Sequence, residues 1–162
     1  MKITKLKIPE VLLIEPDILQ DDRGFFYESF NLEKFENITG RKVSFVQDNF
    51  SKSKKNTLRG LHYQLDPMAQ GKLISVLQGE IFDVVVDLRK SSPTFSTFVF
   101  ETLNSDSRKQ LWVPEGFAHG FLVISEFAEV MYKTTNYYHP DSERAIVWND
   151  PVLSINWPNQ SN

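Results

Sequence analysis

The sequence predicts an all-β domain of the sandwich or jelly-roll type, and three observations carry that prediction. From residue 72 onward, short apolar or alternating runs recur at roughly ten-residue spacing, the mark of antiparallel sheets with regular turns. The breaks are Gly79, Ser92-Pro93, Asn104-Ser105, Pro114-Glu115-Gly116 and Ser125-Glu126. Only one stretch before residue 100 has the look of a helix. Thirteen phenylalanines and an aromatic share of 13% suit a sheet interior better than a helical bundle.

Taken in order, residues 11–14 read as a short strand, and Asp21-Asp22-Arg23-Gly24 as a turn. Residues 24–30 alternate, with Phe26, Glu28 and Phe30 on one side, so Glu28 needs a partner or a place at a strand edge. Asn31 caps a short helix over residues 32–37 that ends by Gly40. Residues 45–51 return to strand, with Phe45, Gln47 and Asn49 on one face and Val46, Asp48 and Phe50 on the other, and residues 51–56 form a Lys-rich turn. Strands are then expected at residues 58–64, 72–78, 80–88, 95–102, 108–113, 117–123 and 130–135. With 162 residues and no repeat or linker, residues 1–162 read as one domain.

The totals exclude several classes. A net charge of −3 gives no general field for nucleic acid or an anionic membrane. Absence of cysteine removes disulfides, thiolate catalysis and thiolate-bound metals. Pro9 and Glu10 interrupt the N-terminus where a leader needs an apolar run, and no window reaches a membrane span, so a soluble cytoplasmic protein is expected.

The chemistry gathers in Leu58-Arg59-Gly60-Leu61-His62-Tyr63-Gln64 and Gln70-Gly71-Lys72. His62 is either a proton-transfer group or a core histidine bonded to backbone. Arg59 favours the first, because a partly buried guanidinium calls for an anion. Strict alternation sets Arg59 and His62 on opposite faces, so they share a site only if Gly60 distorts the strand. Lys72 opens a strand, where a lysine usually solvates its tip. Asp83 sits in the apolar run Phe82 to Val84, and His119 between Phe117 and Phe121 on its own face; pairing them satisfies both. Tyr132 reads equally as a strand aromatic with its tip in water. There is no His-x-His, Gly-x-Ser-x-Gly or phosphate-binding glycine loop, so metal and serine-hydrolase chemistry lack support, and proton transfer next to a carbonyl remains.

Beyond these patterns, the segments Asp21-Asp22-Arg23-Gly24-Phe25-Phe26, Phe45-Val46-Gln47-Asp48-Asn49, Leu58 to Gln64, Gln70-Gly71-Lys72-Leu73, Phe82-Asp83-Val84, Val86-Asp87-Leu88-Arg89, Ser92-Pro93-Thr94-Phe95, Pro114 to Phe121 and Trp148-Asn149-Asp150-Pro151 resemble the dTDP-4-dehydrorhamnose 3,5-epimerases, in register from near Ile8 to Pro158. The resemblance implies a cupin-type jelly roll, a homodimer, and catalysis without metal or cofactor on dTDP-4-dehydro-6-deoxy-D-glucose, inverted at carbons 3 and 5. By the same resemblance His62 is the base, Tyr132 the acid and Lys72 the oxyanion holder. Arg23, Glu28, Gln47, Asn49, Arg59, His119 and Glu143 contact the nucleotide sugar, and Asp83 orients His119.

Two departures stand out. Phe50 replaces a histidine common in the family, on the face away from Gln47 and Asn49. Family members usually continue past the Trp157-Pro158 pair into a tail whose Asp pairs with the base, whereas this chain ends at Asn162, so either the base works without that partner, or Asp150 or another acid substitutes, or the chain is a shortened form with weak or altered activity. A 3-only epimerase of a related 4-keto nucleotide sugar and a weakly active nucleotide-sugar binding protein are the alternatives.

Overall fold

A computed structural model describes residues 1–158; the expected shortened tail, residues 159–162, lies outside the described residues. The strands are β1 (Lys2–Lys5), β2 (Leu12–Glu15), β3 (Ile18–Asp21), β4 (Gly24–Tyr27), β5 (Gln47–Lys54), β6 (Leu58–Gln64), β7 (Lys72–Gln78), β8 (Glu80–Asp87), β9 (Phe98–Asn104), β10 (Gln110–Val113), β11 (Phe117–Val123), β12 (Phe127–Thr134) and β13 (Glu143–Ala145), with α1 at Leu32–Thr39. They form an antiparallel six-stranded sheet, β1-β2-β10-β7-β12-β5, an antiparallel five-stranded sheet, β13-β6-β11-β8-β9, and a separate hairpin, β3-β4. This is the all-β, cupin-type jelly roll that the spacing of the runs and the family resemblance predicted.

The two large sheets pack face to face. Ile74, Val76, Leu111, Val113 and Val130 from the first meet Ile81, Val85, Val99, Phe117, Phe121 and Val123 from the second in one buried cluster. Alternation sends Phe82, Val84 and Val86 of β8 to the opposite face, where they pack with Ile155 and Trp157. Helix α1 covers the outer face of the six-stranded sheet through Phe35, which lies edge-on to Trp112 at 5.0 Å between ring centres. Asn31 caps it, its Oδ1 accepting from the Lys34 N–H, and Gly40 closes it in the left-handed conformation. No helix among the described residues is long and apolar enough to cross a membrane.

Several boundaries differ from the sequence reading. β5 runs on to Lys54 in place of the expected turn, because Ser51 to Lys54 pair with Val130 to Phe127 of β12. The lysines that suggested a turn are the outward positions of an edge strand, and Lys52 reaches Glu129 at 2.9 Å. β9 starts only at Phe98 because Ser96 is left-handed (φ 60°), and β10 starts at Gln110 because Arg108 is (φ 53°). Phe50 points outward and is exposed, as alternation implied.

Candidate active site

The site is an open-ended cavity of about 400 Å³ between the two sheets. Gln47, Asn49 and Ser51 from β5, Lys72 from β7 and Tyr132 from β12 line the wall of the six-stranded sheet. Arg59, His62, Tyr63 and Gln64 from β6, His119 and Phe121 from β11 and Glu143 from β13 line the opposing wall.

Arg59 and His62 share this cavity because β6 is bulged. His62 pairs with His119 and Arg59 with Phe121, so three steps along β6 match two along β11. Gly60, at φ 112°, makes this possible: a Cβ there would lie 2.5 Å from Gly120 Cα and 2.6 Å from the His119 carbonyl oxygen. The distortion that sequence alternation required at Gly60 is present. Arg59 Nε donates to Ser53 Oγ at 2.8 Å, which aims the guanidinium along β5.

His119 and Asp83 form the expected pair. Nε2 of the ring lies 2.8 and 2.9 Å from the two carboxylate oxygens, with Asp83 wholly buried and His119 9% exposed. Burial pushes the Asp83 carboxyl upward, and the adjacent imidazole opposes that.

Lys72 is not a solvated tip. It is 8% exposed at the floor of the cavity and makes no hydrogen bond or ion pair among the described residues. Burial pulls its ammonium down to about 8, with the Glu143 charge acting the other way. His62 stands at the cavity mouth without a hydrogen bond among the described residues. Its pKa is lowered by burial, opposed by Glu143 and reinforced by the charges of Lys72, His119 and Arg59. Tyr132 packs partly into the core, and burial raises its phenol.

Tyr138 is a lining residue for which the sequence reading had no argument. Its backbone N–H donates to Gln47 Oε1 at 3.0 Å and its hydroxyl donates to Glu143 Oε2 at 2.9 Å. The segment that carries it is tied down by two glutamines of the β6 and β7 motifs. Gln64 donates to the Tyr137 carbonyl (3.1 Å) and accepts from the His139 N–H (2.9 Å), and Gln70 donates to the Asn136 carbonyl (2.8 Å). The only sequence signal was the presence of Gln64 and Gln70 in the polar motifs of residues 58–64 and 70–72.

Arg23 and Glu28 are not brought to this cavity. Arg23 sits at the tip of the β3–β4 hairpin with its Nε on Asp21 at 3.1 Å, and Glu28 pairs with Lys34 at 2.7 Å. Both are exposed because the hairpin joins neither large sheet. Asp150 does not stand beside His62 either; its Oδ1 accepts from the Val152 and Leu153 N–H groups in a turn. Among the described residues, no three His, Cys, Asp or Glu side chains are grouped to hold a metal ion.

Comparison with known proteins agrees with this geometry. The family model for dTDP-4-dehydrorhamnose 3,5-epimerase matches residues 5–162. A dTDP-4-dehydrorhamnose 3,5-epimerase of Salmonella typhimurium is 57% identical over 158 residues, covering 98% of this chain and 86% of the relative. The crystal structure of a dTDP-6-deoxy-D-glucose-3,5-epimerase from Legionella pneumophila in complex with dTDP-4-keto-L-rhamnose superimposes with a TM-score of 0.94 at 53% identity, over 97% of this chain and 83% of that one. The epimerase of Bacillus anthracis, solved with TDP and PPi bound, gives a TM-score of 0.95 at 48% identity, over 99% of this chain and 91% of that one. The chain belongs to the dTDP-4-dehydrorhamnose 3,5-epimerase family of isomerases.

Proposed function

We propose that the protein converts dTDP-4-dehydro-6-deoxy-D-glucose to dTDP-4-dehydro-L-rhamnose by inverting carbons 3 and 5. The observation that carries this reading is the opposition of His62 on one sheet to Tyr132 and Lys72 on the other, across one cavity. Inversion needs a base on one face of the sugar and an acid on the other.

The 4-ketone acidifies the hydrogens on carbons 3 and 5, since each carbanion delocalises onto the carbonyl oxygen. His62, held below its ordinary pKa, is neutral at neutral pH and can take the proton. Lys72, with a pKa of about 8, still carries its proton at pH 7 and can hold the developing oxyanion. Tyr132, raised above its ordinary value, keeps a proton to return from the far side. The carbonyl itself is the electron sink, so the reaction asks for no metal or redox cofactor. Arg59 suits the diphosphate, and Gln47, Asn49, His119 and Glu143 supply the remaining polar contacts.

A homodimer completes the site in this reading. The β3–β4 hairpin exposes Leu19 (67%), Phe25 (54%) and Phe26 (70%), and a lone hairpin with such a face is marginal in water. Seated against the free edge of β5 in a second copy, it would cover Phe50 and carry Arg23 and Glu28 toward the cavity beside Gln47 and Asn49. Residues 1–162 act as one catalytic domain, in the cytoplasm, where the nucleotide sugar substrate would be met.

Incubation with dTDP-4-dehydro-6-deoxy-D-glucose in deuterated water tests the reading. Deuterium at carbons 3 and 5 is expected by NMR and mass spectrometry. Label at carbon 3 alone would assign a mono-epimerase, and nucleotide sugar bound without label would overturn the enzyme reading.

A further inference from the structure

Glu143 is the one carboxylate among the described residues that lines the cavity. In the β13–β6 pairing it stands opposite Gln64, while Ala145 stands opposite His62. Glu143 and His62 are therefore diagonal neighbours on one face of adjacent strands, within reach of long side chains. The Tyr138 hydroxyl, donating at 2.9 Å, holds the carboxylate at the rim, and Gln47 in turn holds the Tyr138 backbone. Around His62 the other charged or titratable groups are Arg59 and Tyr63 on its own strand, Lys72 on β7, His119 on β11 with Asp83 of β8 behind it, Tyr132 on β12 and Tyr138. The cavity thus sets one carboxylate at its rim against two permanent or near-permanent cations and two imidazoles.

We propose that Glu143, beyond any contact with substrate, is a positioning residue that sets the proton balance of the site: its charge, fixed by Tyr138, places the pH window in which a neutral His62 coexists with a charged Lys72 and a protonated Tyr132. The inference rests on the epimerase reading above. A fixed charge in a half-enclosed cavity is screened less than in bulk water, so a rim carboxylate acts on every group that shares the cavity. A negative charge favours the cationic forms of His62 and Lys72 and the neutral phenol of Tyr132. It opposes the burial that pulls His62 and Lys72 down and adds to the burial that pushes Tyr132 up. Removing it moves all three groups toward earlier proton loss. Lys72 is the sensitive member, because with a pKa of about 8 it has little margin before it loses the charge that holds the oxyanion.

The consequence is a displacement of the pH–rate profile as a whole. The acidic limb, set by the base losing its proton, and the basic limb, set by the ammonium losing its own, shift to lower pH together. A residue that only bound a sugar hydroxyl would change KM and leave both limbs where they are.

The test compares the wild type with Glu143→Gln, which keeps shape and hydrogen bonding, Glu143→Asp, which restores charge, and Tyr138→Phe, which releases the carboxylate. The His62 ring proton is titrated by NMR in the free protein, assigned by its loss in His62→Asn, and kcat/KM is followed against pH. Glu143→Gln is expected to move the His62 titration and both kinetic limbs to lower pH, Tyr138→Phe to move them less in the same direction, and Glu143→Asp to restore them. A Glu143→Gln protein that binds TDP like the wild type and titrates His62 unchanged would overturn the proposal. A shifted titration in a protein whose wild type leaves both sugar carbons unlabelled would keep the coupling and reject the epimerase reading.

Discussion

Lys72, the proposed oxyanion holder, shows what a buried ammonium costs the fold. Its ammonium has an ordinary pKa of 10.5 and one of about 8 in the folded chain, so the unfolded chain holds this proton more tightly than the native one. The destabilisation is complete below about pH 8 and relieved as pH rises from there toward 10.5, with a ceiling of roughly 3 kcal/mol. Lys72→Met is therefore expected to raise the urea midpoint at pH 7, with the gain fading near pH 10.5, while epimerase turnover collapses. Lower stability at pH 7 would show that the ammonium has a partner that outweighs its burial. His62 stands at the cavity mouth, only partly covered and unbonded among the described residues, so little of the fold depends on it. His62→Asn should cut solvent deuterium exchange by about 10² to 10⁴-fold with TDP binding retained, measured by calorimetry. His119 was legible in the sequence because it interrupts an apolar strand and His62 because it falls beside Arg59 in a strand motif, whereas Lys72, at the start of its strand, stood out only through the family resemblance. Tyr138 was not, because its place depends on Gln47, Gln64 and Gln70, whose contacts cross from other strands.

Two elements carry constraints that spacing along one strand cannot express. The β6 bulge turns Arg59 onto the face of His62, and it survives only where the backbones of Gly60 and Gly120 can nearly touch. Gly60→Ala should cost about 2 to 4 kcal/mol in urea unfolding and weaken TDP binding, since the added Cβ has only backbone to push against. The turn after β8 is built on Asp87, wholly buried, which receives Arg89 at 2.8 Å, Ser92 at 2.6 Å and Thr94 at 2.6 Å. Burial pushes its carboxyl up, but these donors outweigh it and hold the pKa well below the ordinary 3.8. The stability this gives is complete above pH 3.8 and is lost as pH falls from there through the folded value. Asp87→Asn should destabilise the protein at pH 7 and flatten the acid side of its stability profile, read by circular dichroism. An unchanged acid side would move that dependence to other carboxylates. Ser92-Pro93-Thr94 was visible in the sequence as a turn, but its service to Asp87 was not.

At the scale of the whole molecule, the β3–β4 hairpin is the part that pairs with neither large sheet of its own chain. For the homodimer proposed above, Phe26→Glu, at the hairpin's most exposed ring, should turn a dimeric wild type into a monomer by sedimentation and reduce activity, while the circular dichroism spectrum stays that of the folded sandwich; a monomeric wild type, or a variant that stays dimeric, would overturn that placement of the hairpin. The sequence by itself determined the sheet class, the cap at Asn31, the pairing need of Asp83 and His119, and the motifs that carry the family. These rest on local alternation, turn chemistry and the rule that buried polar groups find partners, all of which act over a few residues. Only the tertiary structure decided that β5 continues past its lysines, that Arg59 and His62 share a face, that Tyr138 and Glu143 close the rim, and that Arg23 and Glu28 lie away from the cavity of their own chain. Each of those depends on which strands become neighbours and at what register, and that is set by the packing of two sheets against each other rather than by any one segment.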